Sequence, residues 1–129
     1  LPAAHRLAQQ SAVSLSELAD EPMILLDVQP SRNYFISLFT RAGITPDIVF
    51  SSPSIEMVRG MVGHGFGFAV LVTRPSGKFS YDGKPLAMVE LKDEVEGSGL
   101  AAAWLAGDRL TKPAGLFVEY CKAELPGML

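Results

Sequence analysis

Three short apolar runs, Met23–Leu26, Asp47–Phe50 and Phe68–Val72, alternate with two stretches whose apolar residues recur at helical spacing. Runs of four or five residues are too short for buried helices and suit β-strands. Strands joined in sequence by helices pair in parallel, because a crossover is needed to bring the chain back to the same end. Their helices then cover the faces of the sheet, so each strand reads as apolar on both sides. The pattern predicts an α/β fold with helices flanking a mainly parallel sheet, made mixed by later strands.

Local signals set the boundaries. Ser14 followed three residues later by Glu17 is a capping box, with Leu15, Leu18 and Ala19 on the apolar side, and predicts a short helix ending near Asp20. Pro22 stops it. Pro30-Ser31 is a turn in which Ser31 can cap a helix carrying Tyr34, Phe35, Leu38, Phe39 and Ala42, with Gly43 as its stop. After the second strand, Ser51-Ser52-Pro53 reads as a helix start with Ser52 as cap and Pro53 at the first helical position. Ile55, Val58, Met61 and Val62 form its stripe, and Gly63 and Gly65 end it.

Beyond the third strand the period is lost. Pro75-Ser76-Gly77 is a turn, and Tyr81-Asp82-Gly83-Lys84 suits a hairpin. Residues 86–91 and 100–106 read as strands around a charged loop, 92–99. Thr111-Lys112-Pro113 opens a last helix with Leu116, Phe117, Tyr120, Cys121 and Leu125 facing a core.

Composition excludes several roles. Hydrophobic residues make up 48% of the 129 and charged residues 19%, enough to bury a core. With a net charge of −3 and scattered Lys and Arg, there is no basic footprint for nucleic acid. Any action on DNA belongs to another part of the protein. No apolar run approaches the ~18 residues of a membrane span. One cysteine, Cys121, allows no internal disulfide and fits a reducing cytoplasm. The opening Leu1-Pro2, without Met or a basic region, predicts a chain cut from a longer protein and shows no signal peptide.

Motifs for catalysis or metal binding are weak. Gly63-His64-Gly65-Phe66-Gly67 follows a helix and opens a strand, the reverse of a phosphate loop, and reads as a helix stop with a tight strand entry. His5 and His64 lack Cys or acidic neighbours at metal-ligand spacing, so no metal or cofactor is expected. Nothing in the spacing favours a Cys–His nucleophile pair. Asp93, Glu94 and Glu96 read as a solvated turn. No catalytic residue is assigned and the chain is read as not an enzyme. What remains is Ser51, Ser52 and Ser54 where a strand gives way to a helix. Free amides and the helix dipole there favour a small anion, and ligands of open α/β sheets sit outside the carboxyl ends of the strands. Ordinary helix capping explains most serines at such positions.

The order of the pieces resembles one family. Leu1-Pro2-Ala3-Ala4-His5-Arg6-Leu7-Ala8, the short helix at 13–18, the helix end Phe39-Thr40-Arg41-Ala42-Gly43-Ile44-Thr45-Pro46, and the passage from Ile55 through Val62 into Gly63–Leu71 are similar to the effector-binding domain of LysR-type transcriptional regulators. That resemblance implies a lobe like those of type 2 periplasmic binding proteins. Residues 1–108 would be most of the second lobe, and 109–129 a C-terminal helix returning to a first lobe that is largely absent. It implies an effector bound between lobes, with contacts from Ser51, Ser52 and Ser54, from Thr73, and from Gln29. It also implies pairing as a homodimer, DNA contact only through a winged helix-turn-helix outside this chain, and a cytoplasmic protein. The family often has proline where this chain has Val72-Thr73, so the rim of the site is expected to differ. A solute-binding protein of a transport system shares the fold and is the alternative.

Overall fold

The computed structural model describes residues 1–73, 75, 77–95 and 101–125, in two compact units, Leu1–Glu96 and Gly97–Leu129. In the first unit, β1 (Ala12–Val13) leads through a 3-10 turn (Leu15–Leu18) to β2 (Pro22–Leu26), α1 (Ser31–Arg41), β3 (Asp47–Ser52), α2 (Ile55–Gly63) and β4 (Glu90–Leu91). β2 pairs with β3 and β1 with β4, both in parallel. β2 also takes a parallel bridge from Phe68 on its other side, through Ile24 N–H to Phe68 O at 2.7 Å and Phe68 N–H to Pro22 O at 2.9 Å.

Alternation along β2 explains why both faces are covered. Met23 and Leu25 point into a cluster with Phe35, Leu38 and Phe39 of α1, Phe68, and Leu15 and Leu18 of the 3-10 turn. Ile24 points the other way, to Val58 and Val62 of α2 and to Leu86. Side chains of period two along the strand meet helices on opposite sides. The register slips between Met23–Ile48 and Ile24–Phe50, which leaves Val49 as the extra residue of a bulge, 52% exposed.

Several expectations need correction. α2 starts at Ile55, two residues later than Ser52-Pro53 predicted, and Ser54 is its cap. Ser52 still pairs with Leu26, and its carbonyl accepts the Asp27 N–H at 2.9 Å, so the ladder keeps it extended. Ser31 is the first residue of α1 rather than its cap; Pro30 precedes it without a side-chain cap. Of the strand expected at Phe68–Val72, only Phe68 bridges to a neighbour. Residues 86–91 are likewise strand only at Glu90–Leu91, with Leu86 bridging antiparallel to Pro2. Asp93 is more than a solvated turn residue, since its carboxylate accepts the Leu15 N–H at 2.8 Å and so caps the 3-10 turn. Glu96 and Ser76 lie outside the described residues.

Other signals match. Gly43 (φ +75°) ends α1. Glu17 accepts the Ser14 N–H at 2.9 Å, closing its half of the capping box, while the Ser14 hydroxyl turns to the same carboxylate at 3.1 Å. The hairpin at 81–84 closes through Ser80 N–H to Lys84 O and Leu86 N–H to Lys78 O. Gly67 (φ +154°) lies so close to Pro22 that a Cβ there would be 2.1 Å from the Pro22 carbonyl oxygen. That is the tight strand entry expected of the glycine-spaced segment.

In the second unit, α3 (Lys112–Glu124) is capped by Thr111, whose hydroxyl accepts the Ala114 N–H at 3.4 Å. The apolar stripe was expected to face a core, yet Leu116, Phe117 and Tyr120 are each more than 60% exposed. Residues 101–106 form no strand; an apolar run becomes one only by pairing, and no described segment pairs with it. No helix among the described residues is long and apolar enough to cross a membrane.

Candidate functional site

β2 and β3 run in parallel and each feeds a helix, so α1 and α2 begin at the same, carboxyl, edge of the sheet. The Asp27 N–H to Ser52 O hydrogen bond ties the two strand ends together there. Ser51, one residue before the end of β3, pairs with Leu25 and is exposed. Ser52 is buried, and its hydroxyl oxygen accepts the Ser54 N–H at 3.1 Å. The exposed Ser54 accepts the Met57 N–H at 3.3 Å. The serines therefore divide the work. Ser52 shapes the turn, Ser54 caps the helix, and Ser51 keeps its hydroxyl in the open. An α-helix offers no internal partner to its first amides, so the Ile55 and Glu56 N–H groups add donors at this end.

Gln29 and Thr73 are both exposed. Gln29 sits in the connection from β2 to α1. Thr73 lies five residues beyond Phe68, the residue that bridges in parallel to β2. Among the described residues no hydrogen bond joins either to the serines.

Four charged residues near this edge were not singled out from sequence. Asp27 and Arg32 form an ion pair at 3.1 Å, between the end of β2 and the first turn of α1. Glu56 occupies the first turn of α2, and Arg59 lies one turn further on. Arg59 is 94% buried, as its 6% exposure shows, on a helix face otherwise apolar. The only available signal was an arginine interrupting the Val58–Val62 stripe.

Both histidines have carboxylate partners rather than metal-ligand sets. His5 meets Glu21, which also receives Arg6 at 2.7 Å. Partial burial pushes the Glu21 carboxyl up, but the hydrogen bonds from His5 and Arg6 more than offset this and lower it. His64, at the end of α2, contacts Asp82 at 2.7 Å, and Ser80 donates to the same carboxylate at 2.5 Å. Those two bonds, Ser80 first, hold Asp82 below the usual carboxylate range. No group of three metal-ligating side chains occurs among the described residues.

Parallel strands that feed helices opening on one polar edge define an α/β fold, a class in which ligands sit outside the carboxyl ends of the strands. The model of the LysR substrate binding domain matches residues 1–126, and this chain belongs to that family. The crystal structure of PA01 protein, a putative LysR family transcriptional regulator from Pseudomonas aeruginosa, is 65% identical with a TM-score of 0.93, over 97% of this chain and 44% of that one. The HTH-type transcriptional regulator YvbU of Bacillus subtilis is 31% identical over 92% of this chain and 39% of its own length. The effector binding domain of QuiR in complex with shikimate shares the fold at 18% identity, with a TM-score of 0.70 over 96% of this chain and 60% of that one. The chain thus spans less than half the length of the regulators YvbU and PA01. These relatives are regulators, which takes away the support for the solute-transport alternative.

Proposed function

We infer that this chain is the second lobe, residues 1–108, and the returning helix, 109–129, of the effector-binding domain of a cytoplasmic LysR-type regulator. Its sheet is read as the mixed, mainly parallel sheet of a type 2 periplasmic-binding-protein lobe. It senses a small anion between two lobes and performs no catalysis. DNA contact belongs to a winged helix-turn-helix elsewhere in the protein. The observation that carries this reading is the carboxyl edge at Ser51–Ser54, where hydroxyls and first-turn amides meet the positive end of α2. Gln29 and Thr73 are assigned to its rim. QuiR, which shares the fold, holds shikimate, a hydroxylated carboxylic acid.

A lobe presenting one wall of a cleft cannot enclose a ligand, and enclosed sites bury roughly 70–90% of a drug-sized molecule. Calorimetry with shikimate and benzoate, on this chain and on the complete two-lobed domain, tests the assignment. The complete domain should bind at least one carboxylate, and this chain only weakly, with amide shifts at Ser51–Ile55. Equal affinities would place the whole site within this chain and end the two-lobe reading.

A further inference from the structure

Arg59 is a charge in an apolar place. A buried guanidinium survives only when its donors and its charge are answered. One terminal nitrogen donates to two carbonyl oxygens, Gly77 at 3.0 Å and Phe79 at 2.5 Å. Its Nε lies 3.2 Å from Glu56 Oε1 but makes no hydrogen bond, so that contact is electrostatic. A single side chain thereby links the first turn of α2 to the backbone at Gly77 and Phe79, which opens the turn bridged by Phe79 and Pro85 and begins four residues beyond Thr73.

We propose that Arg59 is a positioning residue that couples anion occupancy at the start of α2 to the hold on residues 77–79. The proposal deepens the effector-site reading and rests on it. An anion bound at Ser54 and the first amides of α2 lies beside Glu56, two residues along. It repels that carboxylate, which is half exposed and already 3.2 Å from the Arg59 Nε. Arg59 is the cation on the other side, so Glu56 moves onto it. The guanidinium is then fixed more firmly against the Gly77 and Phe79 carbonyls. Residues 77–79 tighten when the serines are occupied, without touching the ligand themselves. Lysine does not reproduce this arrangement, because its ammonium has no second nitrogen to face Glu56 while one nitrogen holds both carbonyls.

The test uses the full-length regulator with benzoate as the probe. Binding is followed by amide shifts at Ser52–Ile55, and coupling by hydrogen exchange of the Ser80 and Leu86 amides, which close the 78–86 hairpin. Charges at a helix terminus interact by amounts that correspond to about two- to fivefold in an equilibrium constant. Benzoate should therefore slow exchange at Ser80 and Leu86 by about that factor in the native protein. Glu56→Gln, which keeps a polar side chain beside Arg59 and is checked for a native circular dichroism spectrum, should bind benzoate at least as tightly and lose the slowing. Arg59→Lys should exchange faster at both amides, with or without benzoate. Retained slowing in Glu56→Gln, or binding without slowing in the native protein, would overturn the coupling and leave the effector site standing. No shift at Ser52–Ile55 in the native protein overturns the site reading, and the coupling with it.

Discussion

Glu17 is a surface carboxylate that does not titrate like one. The Ser14 backbone N–H and then the Lys92 ammonium, at 3.2 Å, hold its pKa at about 2, against an ordinary value of 4.5. Because the folded value is depressed, the stability it contributes is complete above pH 4.5 and is lost as pH falls through about 2. A side-chain NMR titration should place the Glu17 midpoint near 2, and Lys92→Ala should raise it; a midpoint at 4 or above would mean the cap and ion pair are not formed in solution. Gly67 makes a different demand, since any side chain there meets the Pro22 carbonyl. Gly67→Ala should destabilise by about 3 kcal/mol or more, because backbone atoms on both sides must move. A variant that melts with the native protein would show that the Phe68–Pro22 contact is not as close as described. Both residues were legible in sequence as cap and glycine signals. Their partners Lys92 and Pro22 were not, because each lies far along the chain or on another element.

Elements begin where competing backbone demands let them. The β2–β3 ladder keeps Ser52 extended and postpones α2 to Ile55, with Ser54 as its cap. Ser54→Ala should therefore cost about 1 kcal/mol of stability in urea unfolding. Ser51→Ala, at an exposed position, should stay within ~0.5 kcal/mol. If Ser51→Ala proved as costly, Ser51 would be a packing residue and its place in the effector site would fall. The core face of α1 makes the opposite prediction. Phe39 is fully buried between β2 and Phe68, so Phe39→Ala should cost about 3–5 kcal/mol. The spacing of Phe35, Leu38 and Phe39 announced that face. The helical stripe at Ile55–Val62 also announced its own, but gave no reason to bury Arg59.

At the scale of the whole molecule, α3 shows three large apolar side chains, Leu116, Phe117 and Tyr120, to solvent. Exposed apolar surface of this kind seeks a partner, and the chain is expected to self-associate, most simply as a dimer. Sedimentation across a concentration range should show this, and Phe117→Glu should shift the population towards monomer. A monomer at every concentration would end the idea. With a net charge of −3, the chain lacks the cations that neutralise phosphates, so a low-salt gel shift with duplex DNA should show no complex.

The sequence by itself determined the α/β alternation, the parallel pairing of the strands at Met23 and Ile48, the glycine stop at Gly43 and the helix starts at Ser14 and Thr111, while its caps at Ser31 and Ser52 were displaced. Each of these is written in a period or in a short local motif. The ordered set of motifs also identified the family. The tertiary structure decided how far each strand extends, because a strand exists only where another backbone answers it. Phe68 meets β2 while Val72 does not, and residues 101–106 meet no described strand. It also decided which charges gather at the carboxyl edge. Asp27 with Arg32, and Glu56 with Arg59, meet through the placement of helices on strands, and Arg59 with Gly77 and Phe79 through a fold-back that no sequence period encodes.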